Sequence, residues 1–211
     1  MTGHVVLLGD SIFDNAIYTN GLPDVVAHLR DVLPAEWKAS LLAVDGSTTT
    51  NLASQVRRIP ADASCLVVSI GGNDALYNAD LLDRPVRSTH EALLLFGLRA
   101  ARFETDYRSA LLEVLAAGKP TTVCTIYNGN LPEGEAAAAR VALMPFNDAI
   151  LRVAFALGLP VIDLRLVCNE PSDYANPIEP SGPGGRKIAE AIVASLGLGK
   201  EPARQARVYA G

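Results

Sequence analysis

The chain has few cysteines, no long apolar run and an excess of acidic over basic side chains. Its three cysteines, Cys65, Cys124 and Cys168, cannot all pair, and two of them lie inside strand-like apolar runs. We therefore expect reduced packing residues in a cytoplasmic protein. No apolar run approaches the ~20 residues that a membrane-spanning helix needs. The formal net charge of −5 argues against a surface for nucleic acid or anionic membrane.

The two ends of the sequence carry no targeting pattern. Strand-like residues begin at His4 or Val5, with neither a basic segment nor a small-residue cleavage site before them, so no signal peptide is predicted. The basic residues near the end, at 200, 204 and 207, indicate a solvated tail over about residues 198–211. A length of 211 residues with 49% hydrophobic side chains predicts one domain with a sizeable core, spanning residues 1–211.

Five short apolar runs alternate with helical patterns along the chain. The predicted strands are Val5–Leu8, Ala39–Val44, Cys65–Ile70, Thr121–Tyr127 and Pro160–Leu164. Helices are predicted over residues 12–18, 24–33, 48–59, 91–117, 135–157 and 183–196, with surface loops at about 75–90 and 168–182. This alternation predicts an α/β protein, with helical layers on both sides of a central five-stranded parallel sheet.

Polar residues follow the carboxyl ends of the first three strands, where reactive groups gather in such sheets. Ser11 lies at the first of these strand ends and has the position of a nucleophile. Serines at strand-to-helix turns also commonly cap the following helix, and this alternative stays open. Ser11 is therefore a candidate whose role depends on the residues that accompany it.

Three of these polar positions suit the chemistry of acyl transfer. A tetrahedral intermediate needs several hydrogen-bond donors aimed at one oxyanion. The backbone amide of Ser11 is one candidate, and Gly46, which has no Cβ, allows substrate to approach its amide closely. The side-chain NH2 of Asn73, oriented by the preceding two glycines, is the third candidate. The alternatives are a helix C-terminal turn for Gly46 and an ordinary turn for residues 71–74.

These three blocks resemble those of the SGNH (GDSL-type) hydrolases. Ser11 in Gly-Asp-Ser, Gly46, and Asn73 in Gly-Gly-Asn-Asp match the first three named positions of that family in order. The resemblance implies a flavodoxin-like three-layer α/β/α sandwich and an oxyanion hole built from these residues. Asp10 and Asp74, which belong to the same blocks, are predicted to bind substrate or orient the site.

The last block departs from the family's Asp-x-x-His-Pro pattern. Here Asn176 stands in the orienting position and Glu179 in the base position. An aspartate beside Glu179 would repel it and raise its pKa, whereas asparagine is able to donate a hydrogen bond to the carboxylate and fix its direction. Glu179 is predicted either as the base for Ser11 or as a carboxylate that binds substrate.

Other titratable residues are weaker candidates. His4 lies at the opposite end of the first strand, about 20 Å from Ser11 at ~3.3 Å per residue, and His28 is predicted to be a packing residue on a helix. His90 is an alternative base if residues 75–90 fold over the site. Asp14 and Asn15 either bind substrate or water, or lie in the first turn of a helix, where negative charge complements the dipole.

The function predicted from these residues is that of a serine esterase or acylhydrolase acting on a small carboxylic ester. The partner is a small-molecule ester or acyl compound, and no metal or organic cofactor is implied. Glu170, Asp173 and Glu179 do not have the spacing of a metal site. The alternative is a catalytically impaired SGNH scaffold that binds a ligand without turnover. A nucleotide-binding domain is disfavoured because the first turn lacks Gly-x-Gly-x-x-Gly.

Overall fold

The computed structural model describes residues 2–199 together with Ala206 and Val208. The predicted tail therefore lies almost wholly outside the described residues. In the described part the strands are β1 (Gly3–Gly9), β2 (Trp37–Leu41), β3 (Cys65–Ser69), β4 (Thr121–Cys124) and β5 (Val161–Ile162). All are parallel, in the order β2-β1-β3-β4-β5, which is the flavodoxin-like doubly wound arrangement. The predicted fold class is confirmed.

Helices cover both faces of the sheet. They are α1 (Val25–Val32), α2 (Leu52–Val56), α3 (Gly72–Leu76), α4 (Thr89–Leu115), α5 (Glu133–Ala156), α6 (Leu164–Val167) and α7 (Gly182–Ser195). Helices α1 and α7 pack on one face of the sheet, whereas α2, α4 and α5 pack on the other. These layers are the two outer layers of the sandwich.

Strand β1 is the centre of the core. Val5 and Leu7 point into one apolar cluster and Val6 and Leu8 into the other, and all four are fully buried. A strand that is covered on both faces cannot alternate apolar and polar side chains, which explains the continuous apolar run. Because β1 also pairs with a strand on each side, β2 and β3, its carboxyl end is held rigidly inside the sheet.

Two predicted helices are shorter than expected. Residues 12–18 form turns and a single 3-10 segment at Ala16–Tyr18, and residues 48–59 form a 3-10 turn at Thr49–Asn51 followed by α2. In the first case side chains replace helical hydrogen bonds: the Asp10 carboxylate accepts from the Ile12 amide. The predicted surface loop at 75–90 begins within α3 and contains a 3-10 turn at Ala79–Leu81.

The first turns of α4 and α5 extend beyond the carboxyl edge of the sheet. The 27 residues of α4 span about 40 Å at ~1.5 Å per residue, whereas the five residues of β3 span about 17 Å. Phe96 of α4 and Leu143 of α5 consequently line a cavity above this edge. The long helices thus form walls beside the strand ends.

The cysteines behave as predicted: Cys65, Cys124 and Cys168 are all buried and free. Their thiols pack in the interior, and burial raises the pKa of Cys65 to about 11. Across the part of the chain that the structure describes, no helix has the length and apolarity required to span a bilayer.

Candidate active site

Ser11 lies in a tight turn directly after β1. Gly9 has φ +134, and a Cβ at this position would lie 1.8 Å from the carbonyl oxygen of Ser69, so the neighbouring strand leaves room only for glycine. In this turn the Asp10 carboxylate accepts a hydrogen bond from the Ile12 amide at 3.1 Å. The Ser11 side chain is 8% exposed and lines the cavity.

Glu179 is the hydrogen-bond partner of Ser11. The Ser11 hydroxyl donates to Glu179 Oε1 at 3.0 Å, although the two residues are 168 positions apart in sequence. Burial raises the pKa of Glu179 to about 7, with the Ser11 hydrogen bond opposing the rise and the negative charge of Asp45 adding to it. The carboxyl group therefore changes its protonation state near neutral pH.

The loop around Asn176 fixes Glu179 through the backbone. Asn176 was predicted to donate to the carboxylate, but the described residues contain no such hydrogen bond. Instead, Asn176 Oδ1 accepts from the Ile178 and Glu179 amides, both at 2.9 Å. The Ala175 amide also donates to the Glu179 carbonyl at 2.9 Å. Asparagine stabilises this turn because its short side chain reaches amides two and three residues ahead.

The predicted oxyanion donors belong to the segments that follow β1, β2 and β3. Neither the Ser11 amide nor the Gly46 amide has a hydrogen-bond acceptor among the described residues. Gly46 has φ +76, and a Cβ there would meet no atom within 4 Å, so this side of the loop is open. Asn73 Nδ2 donates to the Ser47 carbonyl at 2.9 Å, which holds the side chain and leaves its second N–H for another acceptor.

The cavity next to Ser11 has one polar end and a largely apolar wall. Its volume is about 650 Å³, and its polar end contains Asp10, Ser11, Asn73 and Glu179. The apolar wall includes Leu82, Phe96, Ile126, Leu143 and Phe146. Gly46, Asp14, Asp74 and Asn176 lie outside the lining. The structure thus brings together Ser11, Asn73 and Glu179 in one cleft of a size typical for small ligands.

Comparison with known proteins shows the family of this chain. The model of the GDSL-like lipase/acylhydrolase family matches residues 7–184. The chain belongs to this family. No curated protein matches the sequence.

Solved structures share the fold of this GDSL-like chain at low sequence identity. An extracellular lipase from Streptomyces rimosus is 16% identical, with a TM-score of 0.65 over 93% of this chain and 99% of that one. A phospholipase A1 from Streptomyces albidoflavus is 17% identical, with a TM-score of 0.66 over the same shares of the two chains. An alpha/beta hydrolase from the Lake Arreo metagenome is 23% identical, with a TM-score of 0.64, over 94% of this chain and 97% of that one.

The predicted orienting carboxylates of this GDSL-like chain all accept hydrogen bonds from backbone amides. Asp14 accepts from the Asp45 amide at 3.0 Å, and Asp74 accepts from the Thr49 amide at 3.1 Å and the Thr49 hydroxyl at 2.7 Å. Burial raises the pKa of Asp10 to about 8, and the negative charge of Glu179 adds to the rise while the Ile12 hydrogen bond opposes it. These side chains position the loops that carry the candidate donors.

The histidines have no contact with Ser11. His4 contacts Asp62 at 3.0 Å and Ser40 at 2.8 Å at the amino end of the sheet. His28 lies on α1 near Gly185, and His90 is exposed on the first turn of α4. Within the described residues no group of side chains is arranged to hold a metal ion. Asp173 forms an ion pair with Lys187 at 2.8 Å.

Sequence reasoning considered Asn15 only as a residue that binds substrate or water or lies in a helix start, and it missed Tyr127 and Gln55 as residues that position the site. Asn15 is fully buried, donates to the Pro180 carbonyl at 3.1 Å and accepts from the Val25 amide at 3.0 Å. The Tyr127 hydroxyl donates to the Ile178 carbonyl. Both residues hold the segment that carries Glu179. Their partners are distant in sequence, so local patterns contain no signal for these contacts.

Gln55, which sequence reasoning also missed, lies in α2 and binds the backbone at the end of β1. It is 2% exposed, its Oε1 accepts from the Gly9 amide at 2.7 Å, and its Nε2 donates to the Gly9 carbonyl at 2.8 Å. A buried backbone amide that loses its acceptor destabilises the folded state. Gln55 therefore stabilises the strand end from which Ser11 projects.

The Gln55→Leu variant is expected to lower the free energy of unfolding by about 2 kcal/mol, because leucine fills the space and leaves the Gly9 amide unpaired. Urea denaturation measures this change. Ser54→Ala in the same helix removes an exposed hydroxyl and is expected to stay within about 0.5 kcal/mol of the wild type. Equal stabilities for wild type and Gln55→Leu would contradict the assigned role.

Proposed function

We propose that this GDSL-like protein is a serine ester hydrolase that acts on small carboxylic esters, with Ser11 as nucleophile and Glu179 as base. The observation that carries the proposal is the 3.0 Å hydrogen bond from Ser11 Oγ to Glu179 Oε1. A general base has to lie within hydrogen-bond reach of the proton it removes, and Glu179 meets this requirement.

Acylation begins when Ser11 Oγ attacks the ester carbonyl carbon and its proton passes to Glu179. The carbonyl oxygen becomes an oxyanion, which the Ser11 amide, the Gly46 amide and Asn73 Nδ2 stabilise. The bond to the leaving oxygen then breaks, and the protonated Glu179 gives its proton to that oxygen. The alcohol departs and an acyl group remains on Ser11.

Deacylation repeats these steps with water. Glu179, ionised again, removes a proton from a water molecule, whose oxygen attacks the acyl carbon. When the tetrahedral intermediate collapses, the Ser11 oxygen leaves and takes the proton back from Glu179. The products are a carboxylic acid and the free hydroxyl of Ser11, so no cofactor takes part in the sequence.

The environment of Glu179 supports its role as a base. A carboxylate with an ordinary pKa removes a proton from a hydroxyl only weakly, and a base works best when its pKa lies near the working pH. Burial raises the pKa of Glu179 to about 7, which is close to the ordinary value of a histidine. A buried glutamate thus has the basicity that the family's histidine normally supplies.

The apolar wall of the cavity supports the proposal that the acyl group of the substrate binds in this cavity. Leu82, Leu143 and Phe146 line a space of about 650 Å³, which accepts a short or medium apolar chain. Similar structures are described as a lipase and a phospholipase A1, and this likeness is in keeping with an ester of a carboxylic acid.

The test is labelling with a fluorophosphonate together with hydrolysis of p-nitrophenyl butyrate between pH 5 and pH 10. We expect one label per chain on Ser11, none on Ser11→Ala, and a kcat/KM that rises through an apparent pKa near 7. Since only ionised Glu179 accepts the proton, activity is low below this pKa and reaches a plateau above it.

A histidine base would titrate in the same pH range. The temperature dependence of the apparent pKa distinguishes a glutamate base from a histidine base. Ionisation of a carboxyl group has a small enthalpy and that of an imidazole a large one. An apparent pKa that hardly changes between 10 °C and 40 °C is expected for Glu179. Folded protein that neither labels nor hydrolyses the ester at any pH would favour the alternative, a binding protein without turnover.

A further inference from the structure

We infer that the substrates of this site carry a positive charge on the alcohol side of the ester, as esters of amino alcohols or quaternary ammonium alcohols do. The inference rests on the proposed ester hydrolase function and adds the charge class of the substrate. Its basis is a group of carboxyl side chains around Ser11 that have no cationic partner.

The site carboxylates differ from those elsewhere in the fold. Among the described residues, no Lys or Arg side chain forms an ion pair with Asp10, Asp14, Asp45, Asp74 or Glu179. Many acidic side chains away from the site pair with arginine or lysine, as at Asp31, Asp80 and Asp148, whereas others, such as Asp24 and Glu113, form no ion pair within the described residues. Lysine and arginine side chains of the described residues thus do not neutralise these carboxyl groups, of which Asp10 and Glu179, with pKa values of about 8 and about 7, become fully ionised only at alkaline pH.

Within this group, one oxygen of Glu179 lacks a hydrogen-bond donor among the described residues. Its side chain lines the cavity and is 6% exposed, yet its Oε2 atom is buried without a hydrogen-bond partner within the described residues. Buried carboxylate oxygens are normally paired with a donor. An N–H group or a cationic group of a ligand would satisfy this oxygen, whereas a ligand oxygen without a proton would not.

Asp14 and Asp45 supply the rest of the charge on the side of the Gly46 loop. Asp45 Oδ2 accepts from the Tyr18 hydroxyl at 2.7 Å, and Asp14 Oδ2 accepts from the Asp45 amide at 3.0 Å. The second oxygen of each carboxylate has no partner within the described residues. Tyr18 adds a half-buried aromatic ring, which also attracts cations.

The two sides of Ser11 therefore differ in chemistry. Helices α4 and α5 provide most of the apolar wall, where an acyl chain fits, although the carboxyl side chains of Asp83 and Glu135 also line this cavity. Asp14, Asp45 and Tyr18 belong to the loops after β1 and β2 and lie outside that wall. With the acyl chain against the wall, the leaving alcohol extends toward these carboxylates.

The charge of the cavity lining favours the same substrate class. No lysine, arginine or histidine is among the described residues that line the cavity. Several like charges in a cleft with low-dielectric walls concentrate the electric field and raise the local concentration of ions of opposite sign. Cationic esters are attracted by this field, and esters that carry a phosphate or carboxylate are repelled.

A bound cation also affects the base. A positive charge near Glu179 favours the ionised carboxylate and lowers its pKa. The pH dependence of kcat reports the enzyme–substrate complex, whereas kcat/KM reports the free enzyme. The rise of kcat with pH is therefore expected to occur at lower pH for a cationic ester than for a neutral ester of the same shape.

The experiment compares butyrylthiocholine with its uncharged carbon isostere, 3,3-dimethylbutyl thiobutyrate. At low ionic strength we expect kcat/KM to be about tenfold higher for the choline ester, and sodium chloride to reduce this preference by screening. Asp45→Asn removes one charge without changing the side-chain shape and is expected to reduce the preference severalfold.

Glu113→Gln is the matched control, because it changes the net charge equally on an exposed residue near the end of α4. It is expected to leave the ratio of the two rates unchanged. Turnover that depends on Ser11 but shows no preference for the choline ester would overturn this inference and leave the proposed function intact.

A lack of turnover for both esters would instead overturn the proposed function. Calorimetric binding of the two esters to the Ser11→Ala variant then decides the charge class without catalysis. Tighter binding of the choline ester would support the inference, and equal or weaker binding than that of the isostere would contradict it.

Discussion

Replacing Ser11 with alanine is expected to lower kcat for p-nitrophenyl butyrate by at least about 10⁴-fold. The substitution removes only the hydroxyl oxygen, which is the atom that forms the acyl-enzyme. The candidate donors at Gly46 and Asn73 remain, so a small residual acceleration over the uncatalysed reaction is expected. The variant is expected to remain folded, with a free energy of unfolding lower by about 1 kcal/mol, because Glu179 loses its hydrogen bond from Ser11.

Ser47→Ala is the matched control for this prediction. Ser47 is 7% exposed and lies in the loop beside Gly46, and its hydroxyl accepts only a long hydrogen bond of 3.3 Å from Gln55. Its carbonyl, which holds Asn73, is unaffected by the change of side chain. We expect near wild-type kcat for this variant. Retained activity and fluorophosphonate labelling in Ser11→Ala would exclude Ser11 as the nucleophile.

Replacing Glu179 with glutamine is expected to lower kcat by about 10²- to 10⁴-fold, the range that general bases contribute. Glutamine keeps the length of the side chain and an oxygen that accepts from Ser11, so the geometry of the pair is preserved. The amide accepts no proton in this pH range. The rise of activity through pH 7 is therefore expected to disappear together with most of the rate.

The control for this variant is Glu170→Gln, which makes the same chemical change on a residue whose side chain is 64% exposed and contacts Lys187 at 3.2 Å. It is expected to leave both kcat and the pH profile unchanged. A Glu179→Gln enzyme with full activity would place the base elsewhere, and His90→Ala would then be the variant to measure. Steady-state kinetics between pH 5 and pH 10 measures kcat and its pH dependence for each of these variants.

Much of the fold follows from local patterns along the chain. The apolar run Val5–Leu8 and the Gly-Asp-Ser turn that follows it are both visible in the sequence. The run is continuous because β1 is buried on both faces of the sheet. The two long helices were also predicted, over residues 91–117 and 135–157, close to the observed bounds of α4 and α5. Helical periodicity fails over residues 12–18, because Asp10 and Asn15 side chains bind backbone amides there.

The residue types of the candidate site were visible in the sequence, but their interactions were not. The order of Ser11, Gly46 and Asn73 at successive strand ends follows from the parallel topology, which brings all carboxyl ends to one edge. Asn176 was correctly placed beside Glu179, whereas its contact with two backbone amides depends on the path of a loop. The Gln55 contact with Gly9 likewise joins residues 46 positions apart.

The sequence by itself determined the three-layer fold and the position of Ser11 at its centre, because strand burial and strand-end chemistry are local properties. Only the tertiary structure decided how Glu179 behaves. Its hydrogen bond to Ser11 spans 168 positions, and its pKa of about 7 arises from burial by segments far apart in the chain. Desolvation depends on all the atoms around a group. A glutamate in place of the family's histidine therefore becomes a plausible base only when the whole fold surrounds it.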